Sequence, residues 1–243
     1  MAEKEGTEIV KWEDELAKYA QEVAASESVS LPVLSFRNGV MKYQDTVIPN
    51  NSLDVVVVAS IFENAYYKGR FDPNNPRSPV CFALSETDDE LDPHEKSAEK
   101  QSTSCFGCPK AEWGSGEQGT RGKACKEIRR LGLIPASQLE TPEMIAKAEI
   151  ALAKLPVTSV KAWSNYVNQL ASTVKRPPFA IITNIKVTPD PKTQFKVSFS
   201  PKAVLNEEAG RAVYARRGEI IDMLMNPYDP TPEPAAPELS KKM

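Results

Sequence analysis

Leu53-Asp54-Val55-Val56-Val57-Val58-Ala59-Ser60-Ile61 is the stretch on which the fold turns. It holds four consecutive valines. β-branched side chains crowd the preceding turn of a helix but pack well on a pleated sheet. A short apolar run of this kind predicts a buried strand. The pattern continues through Phe62, Tyr66 and Tyr67 to Gly69, and Pro73, Pro76 and Pro79 then break it.

On the N-terminal side, Val33, Leu34 and Phe36 predict a strand, Arg37-Asn38-Gly39 a hairpin-type turn, and Val40, Met41 and Tyr43 a second strand. Pro49-Asn50-Asn51-Ser52 is another turn. Residues 1–30 are acidic, and Ile9, Trp12, Leu16, Tyr19 and Val23 recur at steps of three and four. That spacing predicts an amphipathic helix docked on the domain. The competing reading is an arm that binds a partner or a second copy.

On the C-terminal side, Thr141-Pro142-Glu143 is a good helix start, yet Ile150, Leu152 and the Pro156 stop suit a strand. The expectation for 141–155 leans to strand from about Lys147. Residues 158–174 predict a helix with Val160, Trp163, Val167, Leu170 and Val174 on one face, ended by Arg176-Pro177-Pro178. Two strands follow, Phe179–Val187 and Thr193–Phe199, joined by the Pro189-Asp190-Pro191-Lys192 turn. Residues 205–225 predict a last helix. From Pro227 on, five Pro fall in eleven residues, which predicts an extended or disordered tail over 226–243. With the Val33–Tyr43 hairpin counted as one element, five strands with one helix between the third and fourth is the chain order of an OB barrel. The expected fold is therefore α+β, mainly β: a five-stranded OB-like barrel over 31–225. It carries flanking N- and C-terminal helices and an insertion at 79–130.

Composition narrows the class. The chain has 243 residues, of which 41% are apolar and 26% charged, with a net charge of −3. The small charge excludes a binder that works by bulk positive charge, while leaving room for a local basic patch. No apolar run approaches the ~18 residues of a membrane span. The charged start, Met1 to Thr7, is unlike a signal peptide. The expectation is a soluble cytoplasmic protein with no membrane partner. The single histidine, His94, excludes chemistry that needs two.

All four cysteines lie between Cys81 and Cys125, as Cys81, then Cys105-Phe106-Gly107-Cys108, then Cys125. A C-x2-C knuckle brings two thiolates to one ion, with Gly107 where such a turn needs positive φ. Four thiolates complete a tetrahedral structural zinc with no open position, so the ion would hold the insertion together and activate no water. Competing readings are free or redox-active thiols, disulfides, and an iron–sulfur cluster. His94 could replace Cys81 as a ligand, but the cysteine set is complete without it, so an exposed loop histidine is the preferred reading.

Charge is split around the cysteines. Residues 82–99 carry seven acids and one base, and residues 105–130 carry six bases and three acids. The basic part interleaves Lys110, Trp113, Arg121, Lys123, Lys126, Arg129 and Arg130 with glycines. Gly lets backbone approach a phosphate, and Lys and Arg supply charge. Tyr66, Tyr67 and Trp113 offer rings for base stacking, with Lys68 and Arg70 beside them. These residues are the expected nucleic-acid contacts. No G-x4-G-K-[ST] pattern is present. Asp88, Asp89, Glu90 and Asp92 sit in a polar run without a scaffold strand, so a solvated loop is preferred to a nuclease site.

Pro79-Val80-Cys81-Phe82-Ala83, Cys105-x2-Cys108-Pro109, Trp113-Gly114-Ser115, Gly122-Lys123-Ala124-Cys125 and Leu155-Pro156-x-Thr158-Ser159 together resemble phage-encoded single-stranded DNA-binding proteins with a zinc-containing loop. The likeness spans about residues 53–200. It implies an OB-like barrel with structural Zn2+ that coats single-stranded DNA, beside replication or recombination proteins in the host cytoplasm, without enzymatic turnover. One departure is the end of the chain. Leu239-Ser240-Lys241-Lys242-Met243 lacks the acidic, Phe-ended tail of bacterial single-strand binders. The alternative is a zinc-containing adaptor, or a transcription-type module that binds duplex DNA.

Overall fold

The computed structural model describes residues 31–69, 77–116 and 121–228, and positions 12, 15, 16 and 19 of the N-terminal segment. The expectations for Ile9, Val23, Arg70 and residues 229–243 lie outside the described residues. The chain divides into two compact units, Met1–Leu31 and Pro32–Met243. In the first, Trp12, Leu16 and Tyr19 are helical and exposed.

The second unit is α+β, built on one mixed nine-stranded sheet where the sequence predicts five strands. The strands are β1 Val33–Ser35, β2 Lys42–Tyr43, β3 Thr46–Val47, β4 Ser52–Tyr66, β5 Cys81–Ser85, β6 Lys126–Pro135, β7 Ala151–Leu155, β8 Ile181–Asp190 and β9 Gln194–Val204. Their spatial order is β3-β2-β1-β7-β6-β4-β8-β9, with β5 also on β4. The first three strands are only two or three residues long. The helices are α1 Pro142–Lys147, α2 Val157–Gln169, α3 Glu207–Ala215 and α4 Arg217–Leu224. Among the described residues no helix is long and apolar enough to cross a membrane.

The valine run lies in β4, a strand of 15 residues that pairs with β5, β6 and β8. Both of its faces are covered. Val55 and Val57 enter one core with Leu131, Leu133, Ile185 and Trp163. Val56 and Val58 enter the other with Ile134, Val213 and Ile220. Double burial explains why the run lacks polar alternation. A register shift between Val57 and Ala59 then bulges the strand.

The sheet curls around the first core. A Cβ on Gly39, in the turn between β1 and β2, would stand 3.4 Å from Phe195 of β9. The turn between β1 and β2 thus packs on β9, and α2 plugs the core inside the curl with Trp163, Tyr166 and Leu170. Tyr166 shares a 2.6 Å hydrogen bond with Thr183 of β8. Ser159 accepts one from the Val197 N–H of β9. On the other side α1, α3 and α4 cover the second core. The approach of α4 requires Gly132 of β6, since a Cβ there would collide with Ile220 Cγ2.

Several expectations change. Residues 141–155 hold both a helix and a strand: Thr141 caps α1 by accepting from Met144 N–H, and β7 begins at Ala151. The helix expected over 205–225 breaks at Arg216, whose guanidinium donates to the carbonyls of Ile145 and Ala148. Residues 79–130 do not stand apart as an insertion. Their first part is β5 and their last residues open β6, so the loop between is fastened to the main sheet at both ends.

Candidate nucleic-acid and metal site

Past the bulge, β4 and β6 run on beyond the first core, flanked by β5. Alternation puts Phe62, Asn64 and Tyr66 on one face of β4. Strand register places Arg129 opposite Phe62, Glu127 opposite Asn64, and Cys81 opposite Tyr66. Three cations lie over three rings here. The Arg129 guanidinium sits 3.4 Å from the Phe62 ring centre, Lys110 Nζ 5.2 Å from that of Tyr66, and Lys123 Nζ 5.4 Å from that of Trp113. Phe62, Tyr66 and Arg129 are half-buried, and Trp113 is 79% exposed. Burial pulls the Arg129 guanidinium below its ordinary range, while the carboxylates of Asp88 and Glu127 pull it back up.

The loop between β5 and β6 is folded on the cysteines. Cys108 N–H donates to Cys105 C=O at 3.3 Å and Ala111 N–H to Cys108 C=O at 2.9 Å, with Gly107 at φ +71° between the thiols. Cys125 N–H donates to Lys110 C=O, which carries Lys110 back to Tyr66. Ser115 Oγ donates to the carbonyls of Lys110 and Glu112 and accepts from Ala124 N–H.

Cys81, Cys105, Cys108 and Cys125 all line one small cavity of about 10 Å³, together with Asn64 and Tyr66. That is the space of one small ion or water. Burial pushes the Cys105 thiol up to about 11, with further repulsion from Cys81 and Cys108. Burial pushes the Cys125 thiol up to about 12, with repulsion from Cys105, Cys81 and Cys108. All four cysteines are unpaired thiols. Among the described residues no three Cys, His, Asp or Glu side chains are drawn tightly enough together to hold an ion as they stand. The donor set still fits zinc: burial and neighbouring thiols disfavour the thiolates of Cys105 and Cys125, and a dication at the cavity shared by all four cysteines reverses both effects. His94 is elsewhere. Its ring stacks on Phe82 at 4.9 Å and its Nδ1 accepts from Lys96 N–H.

Tyr66, Lys110, Trp113, Lys123 and Arg129 are thus placed on, or in the loop beside, one face. The others are not. Arg130 points to the opposite face, where it pairs with the fully buried Glu63 and donates to the carbonyls of Leu224 and Asn226. Lys154 Nζ, 3.4 Å from Glu63, and the Tyr228 hydroxyl complete that network. Tyr67 bonds to Tyr228 on the same side. A guanidinium with those partners is a structural latch for the chain after α4, so the expected contact Arg130 lies on the face away from Arg129. Lys68 forms an ion pair with Glu99 at 2.9 Å. Lys126, opposite Ala65, is exposed and donates to Lys123 C=O. Arg121 is exposed at the end of the described loop. Sequence reasoning misses Phe62, because it continues a run that reads as core. It also passes over Phe106, 96% exposed at the knuckle tip, as a mere spacer between thiols.

Comparison with known protein families, with curated proteins and with solved structures finds no match for this chain.

Proposed function

We propose that the chain binds single-stranded DNA without regard to sequence and without chemical turnover, and that a structural Zn2+ on Cys81, Cys105, Cys108 and Cys125 shapes the loop beside the binding face. One observation carries the reading: Arg129 over Phe62, Lys110 over Tyr66 and Lys123 over Trp113 combine a ring and a cation three times around one face. Rings accept any base, and cations track the phosphates. Unpaired bases reach such rings; bases stacked in a duplex do not.

The curled sheet supports an OB-like barrel. The series β7-β6-β4-β8-β9, with α2 between β7 and β8, carries the cysteine loop between its first two strands in chain order, β4 and β6. In OB barrels the loop in that position is one that binds oligonucleotides. With the resemblance in the cysteine and tryptophan motifs, this favours a role in phage DNA replication or recombination. One observation favours the adaptor as a second reading. Trp12, Leu16 and Tyr19 are exposed at helical spacing, a face suited to a protein partner.

Fluorescence anisotropy of labelled poly-dT, its RNA counterpart and a duplex, each over a salt series, tests the proposal. The expected result is tight poly-dT binding with a steep salt slope and weak duplex binding. Equal binding to duplex would replace it with the transcription-type module, and no binding by the folded, zinc-loaded protein with the adaptor.

A further inference from the structure

The segment that leaves β5 runs beside the first ring and cation of the face. Ser85, the last residue of β5, is paired with Phe62, and Arg129 lies over that ring. The next residues are Glu86-Thr87-Asp88-Asp89-Glu90. This acidic loop is built rather than slack. Glu86 bridges to Arg217 at 3.2 Å, Thr87 N–H donates to Ser85 Oγ, and Thr87 Oγ1 donates to Glu90. Leu91 is buried, and its carbonyl accepts from Cys105 N–H at 3.1 Å, which fastens the far end to the cysteine loop.

Asp88, at the middle of the loop, is exposed, and its charge acts on Arg129. The other carboxylate acting on Arg129 is Glu127, which is engaged by Lys123 at 2.5 Å. We propose that the Asp88 carboxylate, in the loop that leaves β5 beside Phe62 and Arg129, opposes a phosphate at Arg129 through its charge, so that loop 86–90 is an internal competitor that weakens the grip on a bound strand and speeds its release. The inference rests on the single-strand reading above and adds a regulation to it. A strand that seats a phosphate at Arg129 does so against the charge of that carboxylate. A short or poorly seated strand gains too little elsewhere to do so. The loop thus selects for ligands that engage several positions of the face at once.

The test is poly-dT anisotropy with the full-length, zinc-loaded wild type, Asp88→Asn and Glu208→Gln. Glu208 is exposed in the first turn of α3, on the opposite face of the sheet, and its loss changes net charge equally. Asp88→Asn should bind about two- to fivefold more tightly at low salt, the range of an exposed ion pair. The gain should fade as salt rises, because the screening length drops from about 10 Å at 0.1 M to about 3 Å at 1 M. Dissociation should slow by a similar factor, and Glu208→Gln should match wild type. If the wild type binds but Asp88→Asn is no tighter, or Glu208→Gln gains as much, the competitor is overturned and the binding face stands. If none of the three binds, both readings fall.

Discussion

Arg129 and Arg130 are neighbours in sequence and sit on opposite faces of β6, so replacing each in turn separates binding from stability. Arg129→Ala removes a half-buried cation from the Phe62 ring. A cation–π pair of this kind contributes about 0.5–1 kcal/mol. At roughly 2–4 °C per kcal/mol for a chain of this size, Tm falls by at most about 4 °C. Binding changes more: the variant neutralises one phosphate fewer, so the log–log salt slope for single strands drops by about 0.7. Arg130→Ala does the reverse. It leaves the wholly buried Glu63 with Lys154 at 3.4 Å and the Tyr228 hydroxyl, and takes the donor from the Leu224 and Asn226 carbonyls. Breaking a buried pair on one side costs about 3–5 kcal/mol, so Tm falls by roughly 6–20 °C. Circular-dichroism melts and poly-dT anisotropy over a salt series, taken below the lower transition, read both quantities. The folded Arg130→Ala protein should keep the wild-type slope. A lowered slope in Arg130→Ala with its Tm unchanged would refute the assignment of faces.

Three further outcomes follow from the same geometry. Trp113→Ala should weaken poly-dT binding by about 1–3 kcal/mol, the range for one stacked base, and leave the salt slope as it was; a changed slope at constant affinity would argue that the ring stacks on nothing. Cys108→Ser should lose its equivalent of zinc and melt earlier, and chelation of wild type should mimic it; full metal content with an unchanged Tm would defeat the zinc site. Gly132→Ala forces a Cβ toward Ile220, a fully buried side chain of α4, and should cost about 1–3 kcal/mol in chemical denaturation; wild-type stability would mean that α4 sits farther from β6.

Much of the sheet is legible in the sequence because local patterns carry it. The valine run marks β4, the alternation of Phe195, Val197 and Phe199 marks β9, and Trp163 at helical spacing marks α2. β6 is illegible. Its residues Arg129-Arg130-Leu131-Gly132 look like a charged turn, since one arginine serves an open face and the other a buried carboxylate 67 positions away. No local signal reports Glu63 as a partner. Gly132 likewise makes sense only once α4 lies against it. The two-residue strands β2 and β3 are too short to leave a period. The cysteines are legible as a group because spacing alone gathers them, whereas their anchorage to the sheet through Cys81 and Cys125 depends on the pairing of β4 with β5 and β6. The basic residues are legible by type and not by direction. Sequence puts Arg129 and Arg130 together, and strand alternation separates them.

Single-strand binding as proposed requires that one face, between β5 and β6 and along the cysteine loop, receive the strand. Ultraviolet cross-linking of the protein to halogenated poly-dT, with the adducts mapped by mass spectrometry, tests it most directly. Adducts are expected on Phe62, Tyr66 and Trp113, and none on Tyr214 or Tyr228 on the helix-covered side. Adducts concentrated on those two tyrosines, with Phe62, Tyr66 and Trp113 unmodified, would contradict it.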